Sequence, residues 1–125
     1  MNNIELEKKV KYIANSLIYE KEYVCTVDIL LRLDYLSKKD YEDWRFGRIE
    51  YLEKVCKVNL SKLSAVNRII KTIARDSKLE KSWTGYNRYG KGIKRRLIFS
   101  KSGNKRIEDA YATHYLDKKR INELK

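Results

Sequence analysis

Apolar residues near the N-terminus follow the spacing of one helical face. They recur at steps of four, three and four residues, at Leu6, Val10, Ile13 and Leu17. This is the period of an amphipathic helix. The pattern predicts an N-terminal packing helix over residues 3–20, which could also serve as a dimerisation helix.

Three shorter helices are predicted next. Thr26 is a good N-cap for a mostly apolar helix over residues 27–33. Ser37 and Gly47 bound a second helix, since Ser is a preferred N-cap and Gly readily adopts the left-handed conformation that ends a helix. A third short helix is predicted over residues 49–56, and a three-residue connector follows it.

The clearest amphipathic pattern lies at residues 61–78, with Asn59 or Ser61 as its N-cap. On a helical wheel the apolar side chains fall on one side, and the cations and hydroxyl groups fall on the opposite side. The apolar stripe consists of Leu63, Val66, Ile70 and Ile73, and the polar stripe of Ser61, Ser64, Arg68, Lys71, Thr72, Arg75 and Lys78.

After residue 78 the pattern becomes that of strands. Aromatic and branched residues on either side of a glycine turn predict a β-hairpin over residues 82–100, with Gly85 as a bulge. A last helix is predicted over residues 107–116, within a core domain of residues 26–116, and a fraying charged tail over 117–125. The side chains expected to close the core over the long helix are Trp83, Leu97 and Phe99.

The net charge is concentrated in one segment. The 125-residue chain, long enough for a single domain, carries a formal net charge of +12. Residues 61–106 hold 14 Lys or Arg against only Asp76 and Glu80, whereas residues 1–60 have equal numbers of acidic and basic residues. An imbalance this local predicts a polyanionic partner, of which nucleic acid is the usual one.

Pattern and charge together suggest a helix-turn-helix with a wing. A short helix, a brief connector and a longer basic helix form the helix-turn-helix pattern, and a basic hairpin directly after it resembles a wing. We therefore expect a mostly helical α+β domain with one β-hairpin, of winged helix-turn-helix type, that binds double-stranded DNA. The expected contacts are Ser64, Asn67, Arg68, Lys71, Arg75, Lys78, Lys91, Lys94, Arg95 and Arg96.

Two alternatives use the same residues. The protein could be an adaptor that docks an acidic protein surface with its basic face and the aromatic cluster around Trp44. It could also stack unpaired bases of RNA or single-stranded DNA on Tyr86 and Tyr89. Arg45 and Arg48 are expected to form a structural cluster with the nearby aromatic rings, because acidic neighbours neutralise the local field.

Catalytic chemistry has little basis in the sequence. His114 is the only histidine, and a metal-free ribonuclease could use it as an acid–base group. A lone histidine near a C-terminal helix is more often a packing or surface residue. Phosphate-binding glycine loops, HExxH and nucleophile elbows are absent. Cys25 and Cys56 are isolated thiols, and we expect them to pack as small apolar residues and not to bind a metal. Since no catalytic motif is present, we expect no cofactor and no enzyme activity.

Several strings resemble a family of small, uncharacterised bacterial proteins. They are SKKDYEDWRFGRIEYLE (37–53), NLSKL (59–63), RYGKG (88–92), LIFSKSGN (97–104) and IEDAYATH (107–114). The resemblance implies a bacterial, cytoplasmic, single-domain protein, and it brings no activity or functional residue with it. No apolar run reaches the ~18 residues of a membrane span and the N-terminus is not a signal peptide, so no membrane partner is expected.

Overall fold

The fold combines helices with a small antiparallel sheet. A computed structural model describes residues 2–123 and confirms the predicted α+β class. The elements are α1 (Asn3–Lys21), β1 (Tyr23–Cys25), α2 (Thr26–Arg32), α3 (Lys38–Arg45), a 3₁₀ helix (Leu52–Val55), α4 (Leu60–Asp76), β2 (Glu80–Trp83), α5 (Lys105–Ala112), β3 (Thr113–Leu116) and α6 (Lys118–Glu123).

The sheet has the strand order β1-β3-β2, with both pairs antiparallel. Tyr115 of β3 lies opposite Val24 on one side and Lys81 on the other. Helices α1 and α4 pack against each other, and α1 also contacts β1 and α2. The sheet therefore joins the N-terminal part of the chain to its C-terminal part, beside the two longest helices.

A second part of the core is aromatic. Trp44 of α3 is fully buried, with its ring 5.2 Å from that of Phe99 and 5.5 Å from that of Tyr86. Phe99 in turn stacks on Tyr111 of α5 at 5.3 Å. These contacts fix α3, α5 and the segment between β2 and α5 on one another.

The predicted hairpin over residues 82–100 is wrong in its pairing. Strand β2 pairs with β3, not with residues 93–100, and residues 86–97 fold back with one isolated bridge, Asn87–Arg96. The backbone groups of residues 98–100 bond elsewhere: the carbonyl oxygens of residues 98 and 99 accept from Leu52 and Glu53. The Glu108 carboxylate accepts from the N–H groups of residues 99 and 100. These partners replace a strand ladder.

Other predicted boundaries also need correction. The helix expected over 107–116 ends at Ala112, because residues 113–116 gain hydrogen bonds from a strand on each side. The helix expected over 49–56 is only the single 3₁₀ turn. The tail expected over 117–125 forms α6, where Asp117 caps the first turn by accepting from the Arg120 N–H; residues 124–125 lie outside the described residues.

Several local predictions are confirmed. The Ser37 side chain accepts from the Asp40 N–H at 3.0 Å, and Gly47 follows α3 with a left-handed φ of 78°. Cys25 is buried and Cys56 is half-buried, and burial raises the pKa of each thiol to about 12.

Within residues 2–123, no helix has the length and apolar character of a membrane span. No group of three or more His, Cys, Asp or Glu side chains in the same range could hold a metal ion.

Candidate nucleic-acid interface

Capping interactions define both ends of helix α4. The Asn59 side chain accepts from the Lys62 N–H at 2.9 Å. At the other end Lys78 takes a left-handed φ of 56°, and the Leu79 N–H donates to the Ala74 carbonyl oxygen at 2.9 Å. This is the Schellman arrangement, and it ends the helix two residues before the predicted boundary at 78.

The two faces of α4 separate as the sequence predicts. Seven residues face the core: Leu63, Ala65, Val66, Ile69, Ile70, Ile73 and Ala74. The opposite face is exposed and carries Ser64, Arg68, Lys71 and Arg75. Since α4 is one of the main packing helices, its core stripe fixes the direction in which these cations point.

Neighbouring elements extend the exposed face at both ends. At the C-terminal half of α4, the side chains of Arg68, Lys71 and Arg75 line a groove of about 450 Å³ together with Lys81 and Tyr115 of the sheet. At the N-terminal half, Ser64 lines a groove of about 870 Å³ together with Lys101 and Arg106. We call these residues the α4 surface: Ser64, Arg68, Lys71, Arg75, Lys81, Lys101 and Arg106.

Most cations of the α4 surface lack a protein partner. Among the described residues, the side chains of Arg68, Lys71, Lys81, Lys101 and Arg106 make no hydrogen bond or ion pair. Arg75 alone is paired, with Asp76 at 3.4 Å, and both of these side chains are largely exposed. On the α1 side the charges are mixed, because Glu7, Lys11 and Asp76 line a groove that Arg68 also enters.

Asn67 makes an internal hydrogen bond and also lines the groove that contains Ser64. Its side-chain oxygen accepts a hydrogen bond from the Thr26 hydroxyl at 2.6 Å, and the residue is half-buried. Thr26 is correspondingly not the N-cap of α2; Cys25 occupies that position without a side-chain cap, and Thr26 is the first helical residue. The two polar groups satisfy each other between α2 and α4 and so position α4.

The cations of the predicted hairpin lie apart from the α4 surface. Within residues 2–123, the side chains of Lys91 and Lys94 are exposed and make no hydrogen bond or ion pair. Arg95 donates to the Gly47 carbonyl oxygen at 3.3 Å, and Arg96 donates to the Asn87 side-chain oxygen at 2.9 Å. Both arginines line a groove with Arg48 and Glu50 that no part of α4 enters. Of the ten predicted site residues, four thus lie on the α4 surface (Ser64, Arg68, Lys71 and Arg75) and four on the fold-back of residues 86–97 (Lys91, Lys94, Arg95 and Arg96). Lys78 is exposed just beyond the end of α4, and Asn67 is half-buried.

Arg45 forms a structural cluster, as its surroundings predict. We call Arg45 with Tyr41, Tyr86 and Tyr89 the arginine–tyrosine cluster. The guanidinium carbon lies 3.9 Å from the ring centroid of Tyr89 and 4.9 Å from that of Tyr86. It also donates to the Tyr41 hydroxyl at 3.1 Å and to the Asn87 carbonyl oxygen at 3.2 Å. The nearby Arg48 pairs with Asp43 at 3.1 Å.

The aromatic side chains are less available for base stacking than the sequence suggests. Tyr86 is buried, and Tyr89 stacks on Arg45. The prediction that Trp83 closes the core is wrong, because 55% of its surface is exposed, whereas Leu97 and Phe99 are buried. The Trp83 indole donates to Asp109 at 3.0 Å and lies under the Arg96 guanidinium at 4.9 Å, so polar contacts hold it at the surface.

His114 is half-buried and packs against two tyrosines. Its ring stacks on Tyr23 at 5.1 Å, and its Nε2 hydrogen-bonds the Tyr86 hydroxyl at 3.2 Å. Burial lowers the pKa of the His114 imidazole below its ordinary value of 6.5. A neutral histidine in strand β3, held between two tyrosines, is suited to packing rather than to acid–base chemistry on a bound phosphate.

Sequence reasoning missed three cations of the α4 surface. Lys81, Lys101 and Arg106 were counted in the basic segment but not assigned to a site. Lys81 joins Arg68 because β2 pairs with β3, and Arg106 joins Ser64 because α5 follows the loop that crosses the start of α4. The charge count was the only sequence signal for these residues.

Comparison of the chain with family models, curated proteins and solved structures gave no significant match.

Proposed function

We propose that the protein is a non-enzymatic nucleic-acid-binding protein that uses the α4 surface to bind double-stranded DNA. The observation that carries this proposal is the pair of exposed cations Arg68 and Lys71 on α4, which are unpaired within residues 2–123 and are extended by Lys81 at one end and by Lys101 and Arg106 at the other. Cations without protein partners can exchange their counterions for phosphates at no cost in lost internal contacts.

The dimensions of α4 suit a major groove. Its 17 residues correspond to about 25 Å, and the B-DNA major groove is wide enough to admit a helix. Ser64 and Arg68 would face base edges, and Lys71 and Arg75 would lie nearer phosphates. A helix that binds in a major groove favours DNA over RNA, because side chains cannot enter the deep, narrow major groove of A-form RNA.

The topology supports a winged-helix type of fold. In a winged helix, the strand after the first helix pairs with the second strand of the wing, so that the sheet has the order first, third, second. The elements α1, β1, α2, α4, β2 and β3 follow each other in the corresponding sequence, and the sheet order is β1-β3-β2. In this arrangement α4 is the recognition helix, α3 is an insertion, and residues 84–112 replace the tip of the wing.

A charge reversal on α4 tests the proposal. We expect Arg68→Glu/Lys71→Glu to weaken binding to a labelled duplex about 100-fold at ~50 mM salt. The free energy of unfolding should change by less than about 0.5 kcal/mol, because both side chains are exposed and unpaired. Fluorescence anisotropy measures the affinity, and urea unfolding measures the stability.

The matched control is Lys118→Glu/Lys119→Glu, which changes the net charge by the same amount on the exposed face of α6. Its affinity should fall by much less, since α6 is not part of the α4 surface. Equal losses in the two variants would mean that only the overall charge matters. An unchanged affinity in Arg68→Glu/Lys71→Glu would exclude α4 as the binding surface.

A second candidate function is docking of an acidic protein partner. The observation that favours it is the groove of about 870 Å³, in which the exposed Leu60 and Ile107 lie between the cations Lys101 and Arg106. Replacing Ile107 with Glu separates the two functions. Duplex binding should then fall only modestly, whereas an acidic partner with apolar anchors would be lost.

We also propose that the protein forms a homodimer through the outer face of α1. Ile4, Tyr12 and Tyr19 are each more than 60% exposed and lie within one stripe of the helix. An antiparallel pair of α1 helices would place Tyr12 against its symmetry mate and Ile4 against Tyr19. Sedimentation should show a dimer that Tyr12→Glu converts to a monomer. A wild-type monomer at ~100 μM would contradict this proposal.

The proposed function is consistent with a cytoplasmic location, where bacterial DNA is found. This location rests on the proposal and on the resemblance to bacterial proteins.

A further inference from the structure

The fold-back of residues 86–97 presents one apolar side chain at its tip. Ile93 is 90% exposed, the highest value among the large apolar residues of the described chain. It follows Gly92, whose φ of 107° is accessible to glycine but strained for other residues. Gly90, with φ 99°, provides the preceding bend. The backbone therefore turns sharply on one side of Ile93 and directs a lone isoleucine away from the protein.

The charges around this tip have a single sign. Residues 81–107 contain no Asp or Glu. Lys91 and Lys94 flank Ile93 in the sequence, are exposed and make no side-chain hydrogen bond or ion pair within residues 2–123. The isoleucine thus lies between two lysines that remain available to a polyanion.

The base of the tip is firmly held, although the tip itself is open. The Tyr89 N–H donates to the Arg45 carbonyl oxygen at 2.7 Å, and the Arg45 guanidinium stacks on the Tyr89 ring. On the opposite branch, Arg95 donates to the Gly47 carbonyl oxygen at 3.3 Å. Arg88 bridges the turn by donating to the Lys91 carbonyl oxygen at 3.2 Å. These hydrogen bonds and the ring contact fix the base of the tip to the C-terminal end of α3, so the position of Ile93 relative to the rest of the protein is well defined.

We infer that Ile93 is a wedge that inserts between base pairs of the bound duplex from the minor groove and kinks it. This inference rests on the proposed function and assigns the bound duplex a second contact, at a tip whose base lies apart from the α4 surface. Apolar side chains flanked by cations are the devices by which minor-groove proteins unstack a base step, at a cost of a few kcal/mol that phosphate contacts offset. Lys91 and Lys94 supply those contacts on either side of the wedge.

A duplex fits this tip better than a lipid surface does. Membrane binding scales with the apolar area that enters the bilayer interface, and the tip offers a single side chain. A wedge requires only one side chain, because the unstacked gap between two base pairs is the size of one apolar group. The amount of exposed apolar surface therefore favours the nucleic acid.

The test measures DNA bending separately from DNA binding. A duplex of about 30 base pairs, labelled with a fluorescence donor and acceptor at its ends, reports the end-to-end distance when the protein is bound at saturation. Wild type should shorten this distance by an amount that corresponds to a kink of about 20–90°. Ile93→Ala should bind with an affinity within about fivefold of wild type and leave the duplex straight.

Ile98→Ala is the matched control. Ile98 lies in the same segment, is 48% exposed and sits away from the tip, so its variant should bend DNA as wild type does. Thermal unfolding verifies that both variants fold.

Each other outcome is decisive. If wild type binds no duplex, the proposed function fails and the wedge with it. If wild type binds a duplex that remains straight, or if Ile93→Ala still bends it, only the wedge is overturned. Equal loss of bending in the Ile98 variant overturns it too. A straight duplex together with Ile93-dependent binding to vesicles containing anionic lipid would assign the tip to membranes and overturn the inference.

Discussion

The α4 surface and the arginine–tyrosine cluster both contain cations, but they use them in opposite ways. Arg45 is enclosed by three tyrosine rings and donates two hydrogen bonds to the protein. Within residues 2–123, Arg68 and Lys71 have no hydrogen-bond or ion-pair partner, although they lie on a helix whose other face is well packed. The net charge of a segment therefore does not show which of its cations the fold leaves unpaired.

Residue type explains part of this division. A guanidinium is planar and stacks on aromatic rings, whereas an ammonium group is strongly hydrated and tends to stay in water. The internal contacts of the segment between β2 and α5 accordingly involve Arg88, Arg95 and Arg96, whereas Lys91 and Lys94 face solvent. On α4 the Arg68 guanidinium makes no ring contact, hydrogen bond or ion pair within residues 2–123, although Tyr115 lines the same groove.

The largest effect that separates the two regions is expected from Arg45→Ala. This change removes the stacking on Tyr89 and Tyr86 and the two hydrogen bonds of the guanidinium. The free energy of unfolding should fall by about 2–3 kcal/mol, as measured by urea denaturation.

The same variant should lose stability without losing affinity for duplex DNA. Measured well below its unfolding temperature, Arg45→Ala should keep most of its affinity for DNA. A variant that folds as stably as wild type but binds DNA poorly would show that Arg45 is a binding residue, and the comparison would then be wrong.

The pH dependence of stability should arise in part beside the arginine–tyrosine cluster, where the Tyr86 hydroxyl hydrogen-bonds His114. Burial lowers the pKa of the folded His114 below its ordinary 6.5, so the unfolded chain takes up the proton first as the pH falls. The free energy of unfolding should therefore decrease as the pH drops below about 6.5, and His114→Gln should remove this component. Thermal unfolding between about pH 7.5 and 5.5 measures it; identical profiles for the two proteins would exclude His114 as the source.

The smallest effect concerns the one paired cation of the α4 surface. Asp76→Asn should release Arg75 from its exposed ion pair and raise the duplex affinity about two- to fivefold at low salt, because exposed pairs are weak. Stability should change little. If anisotropy shows a lower affinity in Asp76→Asn, Asp76 supports binding and does not compete for Arg75.

The extent to which the sequence predicts the fold depends on how local each interaction is. The two faces of α4 follow from spacing along a single helix, and the structure reproduces them residue by residue. The sheet does not follow, because β2 and β3 have four residues each and are separated by residues 84–112. The alternating residues at 93–100 predict pairing with residues 82–89, but only the backbone groups of residues 95 and 97 bond there, to Arg88 and Tyr86. Residues 98–100 bond instead to Leu52, Glu53 and Glu108.

The candidate site shows the same limit. Arg68, Lys71 and Arg75 were assigned correctly to one exposed face, since their register on α4 is fixed by local spacing. The hydrogen bond between Thr26 and Asn67 joins residues that are 41 positions apart, and each was assigned a different role. The joining of Lys81 to the α4 surface depends in the same way on the long-range pairing of β2 with β3.

The salt dependence of duplex binding tests the central claim most directly. If six to eight cations of the protein meet phosphates, the logarithm of the association constant should fall with the logarithm of salt concentration with a slope of about −5 to −7. Arg68→Gln/Lys71→Gln should reduce the magnitude of this slope by about 2, whereas Arg45→Ala should leave it unchanged. A slope near zero for wild type, or the same slope in the double variant, would contradict the assignment of DNA binding to α4.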